Sequence, residues 1–592
     1  MKCRVLDFAY DELGRYLAKA GIRDSRIILD VNGDSPDDGY SIAVEAFCGT
    51  IAGKNERSVL FGVYAFLNEL GFRFPTPYIE IIPDKVACDS VHLDDNAKYR
   101  HRGFCIEGAV SYENVLSVID WLAKNRMNTY FTQFITPYEF FKTWYSHDNN
   151  PLLRGSDTIP SPADIDEFID SRLLPEMRKR GLVWQAVGHG FNSECFGYRG
   201  FNWDRVDSSD GLDKSIMAEI DGKRDLFEGI PLNTNLCLSN KSVRDRFVSV
   251  VLDYLDKHRS VDCLHIWLAD GANNSCQCDE CMKVLPSVWY IKLLKEIDEA
   301  LTEKHIDTRI VFLSYFDLLW PPETVDLNTE RFIFMFAPIT RSYKKSVSEY
   351  DDTKTAQFCI GNNVFPKRQE ENLAYAREWK KRFKGDSFVY EYHYMWNLFR
   401  DLPDYYNAKI LYEDIQGLRT LGFNGYISCQ QTRVFAPTGL GMHVMAAALW
   451  GTDRSFEELA REYFEVLFGD KSDEVLSFIE KISRKGYLSI GENDTEENKH
   501  DAALLESAID DIEAFLSTEH EKTQTWQSLI YLMKITSSYF QSLSYLKNGE
   551  RKKAVESFSI LCDFIRSNER EYQENIDVYW FIKDRKKIFE EI

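Results

Sequence analysis

The sequence predicts an α/β chain in three parts: a (β/α)8 TIM barrel, a small α/β domain before it and an all-helical domain after it. Three observations carry this. Short apolar runs alternate with amphipathic helices from residue 101 to about 435, a separate strand-and-helix pattern fills the first ninety-odd residues, and strand signals stop after residue 440. The chain accordingly divides into residues 1–95, 96–440 and 441–592. At roughly 150 residues per domain, a chain of this length holds three or four such units.

In the first part, residues 26–31 and 40–47 are strand-like by alternation and β-branched content, with a turn-rich stretch between them. Residues 58–70 carry apolar side chains at helical spacing, and Gly71 stops the helix. Pro75, Pro77 and Pro83 mark the exit. Eight strand candidates follow: 103–108, 128–134, 183–187, 263–269, 309–316, 332–337, 387–392 and 425–429. The clearest helix between them is 114–124, with Val115, Val118, Ile119 and Leu122 on one face; others are 164–179, 242–257, 287–303, 369–383 and 407–421. A doubly wound open sheet competes with the barrel, and the count of eight favours the barrel. Helical periodicity then runs through 455–468, 472–485, 501–516, 519–547 and 552–566. This tail would complete a groove or mediate homodimerisation, and it shows no chemistry of its own.

Composition excludes several classes. Lys and Arg number 71 against 94 Asp and Glu, a net −23 that repels phosphate backbones and argues against a nucleic-acid partner. The densest basic runs, Lys380-Lys381-Arg382 and Arg551-Lys552-Lys553, read as solvated helical faces. No stretch approaches the roughly 20 apolar residues of a membrane span, and acidic residues interrupt the N-terminus before an export signal forms. Thirteen scattered cysteines, an odd number, fit a reducing cytoplasm better than a disulfide framework. Aromatic residues reach 14%, enough to fill the cores and also to line a groove where sugar rings stack.

In a barrel, chemistry sits where strands end. Asp270 closes an apolar strand and is followed by Gly271, so it is the first catalytic candidate. Glu391, set in a run of aromatics, is the second; burial there would raise its carboxyl towards the range useful for acid catalysis. Two carboxylates across an aromatic pocket are the minimum machinery of glycoside hydrolysis. On this reading Asp270 is the general acid and Glu391 the base or nucleophile. Glu107, His189, Tyr315, Arg341, Tyr392, His393 and Trp396 are candidate substrate contacts, and Arg341 in the pocket would favour an acidic sugar. Asp270 also reads as a helix-cap or turn aspartate, Glu391 as a glutamate tied to a buried partner, and His189 as a buried histidine satisfied by backbone.

Cys276, Cys278 and Cys281 lie within six residues, close to metal-ligand spacing. They read either as a structural zinc site that shapes the loop after the fourth strand or as packed thiols; a fourth ligand would have to come from elsewhere. No Walker loop, dinucleotide fingerprint or His-Glu-x-x-His appears, so no cofactor is required.

The run from Arg57 to Phe74 resembles the end of the small α/β domain that precedes the barrel in glycoside hydrolases of families 20, 84 and 67. His101-Arg102-Gly103-Phe104, the run from Trp121 to Asn128, and Asp270-Gly271 with the cysteine cluster resemble a bacterial domain of unknown function, number 4838. The resemblance spans residues 40–470 or so and implies a hydrolase layout of helper domain, barrel and helical tail. Families 20 and 84 use adjacent acids at one strand end. Here that position reads Ala269-Asp270-Gly271, which lacks the pair; family 67, with carboxylates at several strand ends, suits Glu391 better. The expectation is a cytoplasmic glycosidase, exo-acting on an N-acetylhexosaminide or uronide. The rival is a non-catalytic carbohydrate-binding protein on the same barrel.

Overall fold

The computed structural model describes residues 5–347, 353–395, 397–430, 433–490 and 502–590. Its centre is a closed barrel of eight parallel strands. In chain order these are His101–Ile106, Thr129–Gln133, Val183–Gly188, Cys263–Ile266, Arg309–Ser314, Phe332–Phe336, Ser387–Tyr394 and Gly425–Gln430. Each coincides with one of the eight predicted runs. The eighth strand closes on the first, pairing Gly425 with His101 and Gln430 with Ile106. Close packing fixes two glycines here. A Cβ on Gly103 would lie 2.0 Å from the Thr129 carbonyl oxygen, and one on Gly425 would lie 2.5 Å from that of His101. Only a residue without a side chain fits such an approach.

The expected helices sit between the strands, with ends set by capping. Ser111 caps Tyr112–Lys124 by accepting a hydrogen bond from the Asn114 N–H, two residues before the predicted start. The predicted helix 164–179 is two α segments, Pro162–Phe168 and Leu174–Lys179, joined by a π turn at Ile169–Leu173. An apolar helix, Leu440–Trp450, follows the eighth strand.

The N-terminal unit is a four-stranded sheet in the order Arg26–Val31, Cys48–Gly53, Gly39–Glu45, Val91–Asn96, with helices Val5–Lys19 and Glu56–Glu69 sharing its apolar core. The predicted strand 40–47 stops at Glu45, because Ala46 and Phe47 adopt left-handed φ and turn the chain into Cys48–Gly53. A buried charge cluster joins this unit to the barrel floor. Asp38 accepts hydrogen bonds from Arg102 at 2.6 Å and Asn128 at 3.0 Å, and pairs with Arg57 at 2.8 Å. Burial pushes its carboxyl up, but Arg57 and Arg102 win and hold it well below the usual carboxylate range.

Beyond the barrel, Phe456–Phe468, Ser472–Ser489, Ala502–Leu516, Gln524–Lys547, Arg551–Tyr572 and Val578–Glu590 pack around their own apolar core. Ser455 and Glu458 form the capping box that starts the first of them. The final turn of the tail returns to the barrel mouth. Asp577 accepts from the Ala109 N–H at 2.9 Å, and Glu569 meets His147 at 2.8 Å. Among the described residues no helix is long and apolar enough to cross a membrane.

Candidate active site

A cavity of about 280 Å³ opens at the carboxyl ends of the barrel strands. Its wall is assembled from nearly every strand end: Glu107 after the first, Gln133 closing the second, His189 after the third, Trp267 and Asp270 after the fourth, Tyr315 after the fifth, and Tyr390 and Tyr392 on the seventh. Trp203 comes from the long loop after the third strand, and Trp580 reaches in from the last helix of the tail.

Asp270 is placed by its loop. The fourth strand ends at Ile266, shorter than predicted; the chain leaves the ladder there, and Ala269 and Asp270 bond to the segment before helix Lys241–Lys257 instead. The Asp270 N–H donates to the Leu232 carbonyl at 2.9 Å, and the Asn274 amide donates to the Asp270 carbonyl at 2.6 Å. Gly271 follows with φ +89°, the left-handed turn that glycine tolerates. Three donors then hold the carboxylate: Tyr315 Oη at 2.9 Å and the Gly271 N–H at 2.7 Å on Oδ1, and Trp203 Nε1 at 2.8 Å on Oδ2.

Glu107 is the second acid on this cavity. It is buried, with Tyr390 Oη donating to its Oε1 at 2.7 Å and the Cys429 thiol at 3.0 Å. Burial raises its pKa. The two hydrogen bonds oppose that rise, and the charge of Asp270 adds to it. His189 packs edge-on against Trp267 and Trp203, with ring centroids 4.8 and 5.4 Å away, and burial lowers its pKa. It is a neutral ring in an aromatic corner. Burial and the neighbouring Asp270 push the Tyr315 hydroxyl well up, so it stays a donor.

Glu391 does not join them. The seventh strand runs on to Tyr394, and its two-residue period sends Tyr390 and Tyr392 inward and Glu391 outward, beneath helix Tyr405–Leu418. There Glu391 binds Arg341 at 2.8 Å and accepts from Tyr343 Oη at 3.0 Å. The same Arg341 nitrogen reaches Asp414 at 2.7 Å, and His393 bridges Asp414 at 2.9 Å and the Tyr426 hydroxyl at 2.9 Å. The expectation that Asp270 and Glu391 meet over one cavity is therefore corrected. Glu391, Arg341 and His393 form a buried network that locks strand to helix. Arg341 already holds two carboxylates, which keep it charged against its burial, and has no side for an acidic sugar. Trp396 lies outside the described residues.

Asp270, Glu107, His189, Tyr315 and Tyr392 share the cavity. Trp203, Trp267, Tyr390, Gln133, Asn235 and Trp580 were not foreseen there. Alternation along the seventh strand carried the signal for Tyr390. Nothing local marks Trp203 or Trp580, which arrive through long-range packing.

Cys276, Cys278 and Cys281 fold together after Asp270, and Cys237 joins them from the segment before helix Lys241–Lys257. Each of the four is a free thiol, and their sulfurs all lie within 4.8 Å of one another.

The fold is a closed barrel of eight parallel strands with a sheet unit before it and a helical tail after it, and carboxyl groups border the cavity at its carboxyl mouth. Residues 215–481 match the model of a domain of unknown function, DUF4838. No curated protein matches the chain. Among solved structures the fold is similar to a family 138 glycoside hydrolase targeting pectin rhamnogalacturonan II, with a TM-score of 0.57 and 12% identity over 95% of this chain and 91% of that one. It is also similar to a family 89 glycoside hydrolase of Clostridium perfringens in complex with its substrate GlcNAc-α-1,4-galactose, with a TM-score of 0.55 and 12% identity over 94% of this chain and 64% of that one. At this identity the likeness shows the fold. These neighbours come from families 138 and 89 rather than from families 20, 67 and 84, whose layout the sequence resembles.

Proposed function

We propose that the protein is a glycoside hydrolase that removes the terminal unit of a neutral glycoside, with Glu107 and Asp270 as its working acids. One observation carries this: two carboxyl groups in opposite environments share an aromatic-lined cavity at the carboxyl ends of the strands. Pairs of titratable groups whose surroundings differ in this way divide acid and base roles between them. Burial favours the protonated form of Glu107, which in this role delivers a proton to the departing glycosidic oxygen. Asp270, held by three donors, is oriented to activate water or to attack the anomeric carbon. These roles reverse the expectation that Asp270 is the acid.

Among the described residues the cavity lining contains no Lys or Arg, while Asp270 and Asp317 border it. A uronide carboxylate there would face like charge without a partner, which favours a neutral sugar. The small volume, closed on one side by Trp580, suits one sugar unit at a chain end, and its aromatic rings supply stacking faces. The test is a panel of chromogenic hexosides, N-acetylhexosaminides and uronides. Turnover of a neutral substrate is expected, with Asp270→Asn and Glu107→Gln each lowering it by about a hundredfold or more. The outward turn of Glu391 favours a second reading, a binding protein without turnover. Glycan binding by calorimetry with no product from any substrate would establish that reading instead.

A further inference from the structure

The cysteine cluster lies outside the acid pair, and its geometry is that of a ligand set. Cys237 Sγ lies 3.7 Å from Cys278 Sγ and 3.9 Å from Cys281 Sγ. A tetrahedral ion with metal–sulfur bonds of about 2.3 Å needs sulfur–sulfur edges of about 3.8 Å. Iron–sulfur clusters spread their four thiolates over several metal atoms and hold them further apart. All four thiols are unpaired as disulfides.

The surroundings suit thiolates. The Glu219 N–H donates to Cys276 Sγ at 3.3 Å and the Arg224 guanidinium stands 4.0 Å from Cys276 Sγ, while the Cys281 thiol donates to Ser239 Oγ at 3.1 Å, a hydroxyl that can turn its hydrogen toward a thiolate. Such donors and a nearby cation offset the negative charge that four thiolates around a divalent ion retain. The cluster also ties together two segments that matter to the cavity. Cys237 follows Asn235, whose side-chain oxygen accepts from the Ala269 N–H at 3.3 Å and whose amide donates to Asn274 at 2.8 Å. Cys276 follows Asn274, which holds the Asp270 carbonyl.

We infer that Cys237, Cys276, Cys278 and Cys281 bind one zinc ion that clamps the Asp270 loop to the segment carrying Asn235. Binding displaces the four thiol protons to solvent and involves no change of oxidation state. The ion sets the shape of the cavity wall and takes no part in bond cleavage.

The full-length protein, purified without added metal and dialysed, is expected to contain one zinc per chain by elemental analysis. Cys237→Ala and Cys276→Ala should each reduce this to about a tenth or less, and Cys278→His, which keeps a zinc-binding donor, should retain it. Stripping the ion with a strong chelator should speed amide exchange in residues 232–240 and 269–281 by about tenfold or more, while the helical tail stays protected. Substoichiometric zinc, stoichiometric iron, or an intact mass showing disulfides between these cysteines in the wild-type protein would overturn the assignment without any variant having to fold. Loss of zinc with unchanged exchange in both segments would refute the clamp. Either result leaves the reading of Glu107 and Asp270 standing, because that reading fails only on substrate turnover.

Discussion

Glu391→Gln and Glu107→Gln are expected to fail in opposite ways, and the contrast tests the placement of both carboxyls. Glu391 is 2% exposed, binds Arg341 at 2.8 Å and accepts from Tyr343 at 3.0 Å. Removing one member of a buried ion pair costs about 3–5 kcal/mol. Asp414 still holds Arg341 at 2.7 Å, which places the loss near the lower end, about 3 kcal/mol. In a unit of this size each kcal/mol lowers the melting midpoint by roughly 2 °C, so about 6 °C should be lost. Activity of the folded fraction should stay within about threefold of wild type. Glu107→Gln removes a carboxyl whose charged form is penalised by burial, so its midpoint should hold or rise while kcat/KM falls by about a hundredfold or more. Scanning calorimetry paired with initial rates at 25 °C reads both. A Glu391→Gln protein that melts like wild type but is inactive, or a Glu107→Gln protein of near-normal activity, would refute the reasoning.

Other consequences are equally open to measurement. Asp38→Ala strands the buried Arg102 and should cost about 3–5 kcal/mol at neutral pH in chemical denaturation. Because the Asp38 carboxyl is held below its ordinary value, the gap between wild type and variant should be full above about pH 5 and close as the pH falls from about 4 towards the depressed value. A gap that stays constant through this range would contradict the pairing. Gly103→Ala places a methyl 2.0 Å from a backbone oxygen and should cost about 3 kcal/mol or leave only insoluble protein. A soluble variant of unchanged midpoint would show that the first two strands are further apart than described. Tyr390→Phe removes a donor from the Glu107 anion and so raises that pKa further, moving the basic limb of the kcat/KM profile to higher pH. A shift to lower pH would assign the limb to another group.

The barrel was readable because its strands are buried on both faces and appear as compact apolar runs, bounded by turns and separated by one-sided helices. Asp270 was readable for a local reason, a carboxylate at a strand end with a glycine behind it. Glu391 misled because its aromatic neighbours suggested a place in the pocket wall, while strand alternation puts it on the opposite face. The two-residue period turns Glu391 away from Tyr390 and Tyr392, and beyond Glu391 the register shifts, so that Tyr394 bonds Asp404 and does not extend the inward row. Strand Cys48–Gly53 was hidden by Gly49 and Gly53, which weaken any strand pattern. Cys237 stands 39 positions before Cys276, a separation no metal-spacing rule anticipates. Trp203 and Trp580 reach the cavity through loop and tail packing, and neither carries a local mark of it.

The last helix has a bearing on when the pocket comes into being. Trp580 supplies part of its lining, and Asp577, three residues earlier, pins that helix to Ala109 near the first barrel strand. A chain emerging from the ribosome can close its eight strands long before this helix exists, and until then the hollow above them lacks one side. Ligand capture must therefore wait until synthesis has passed residue 580. Afterwards, any loosening of this helix would be felt in the pocket at once.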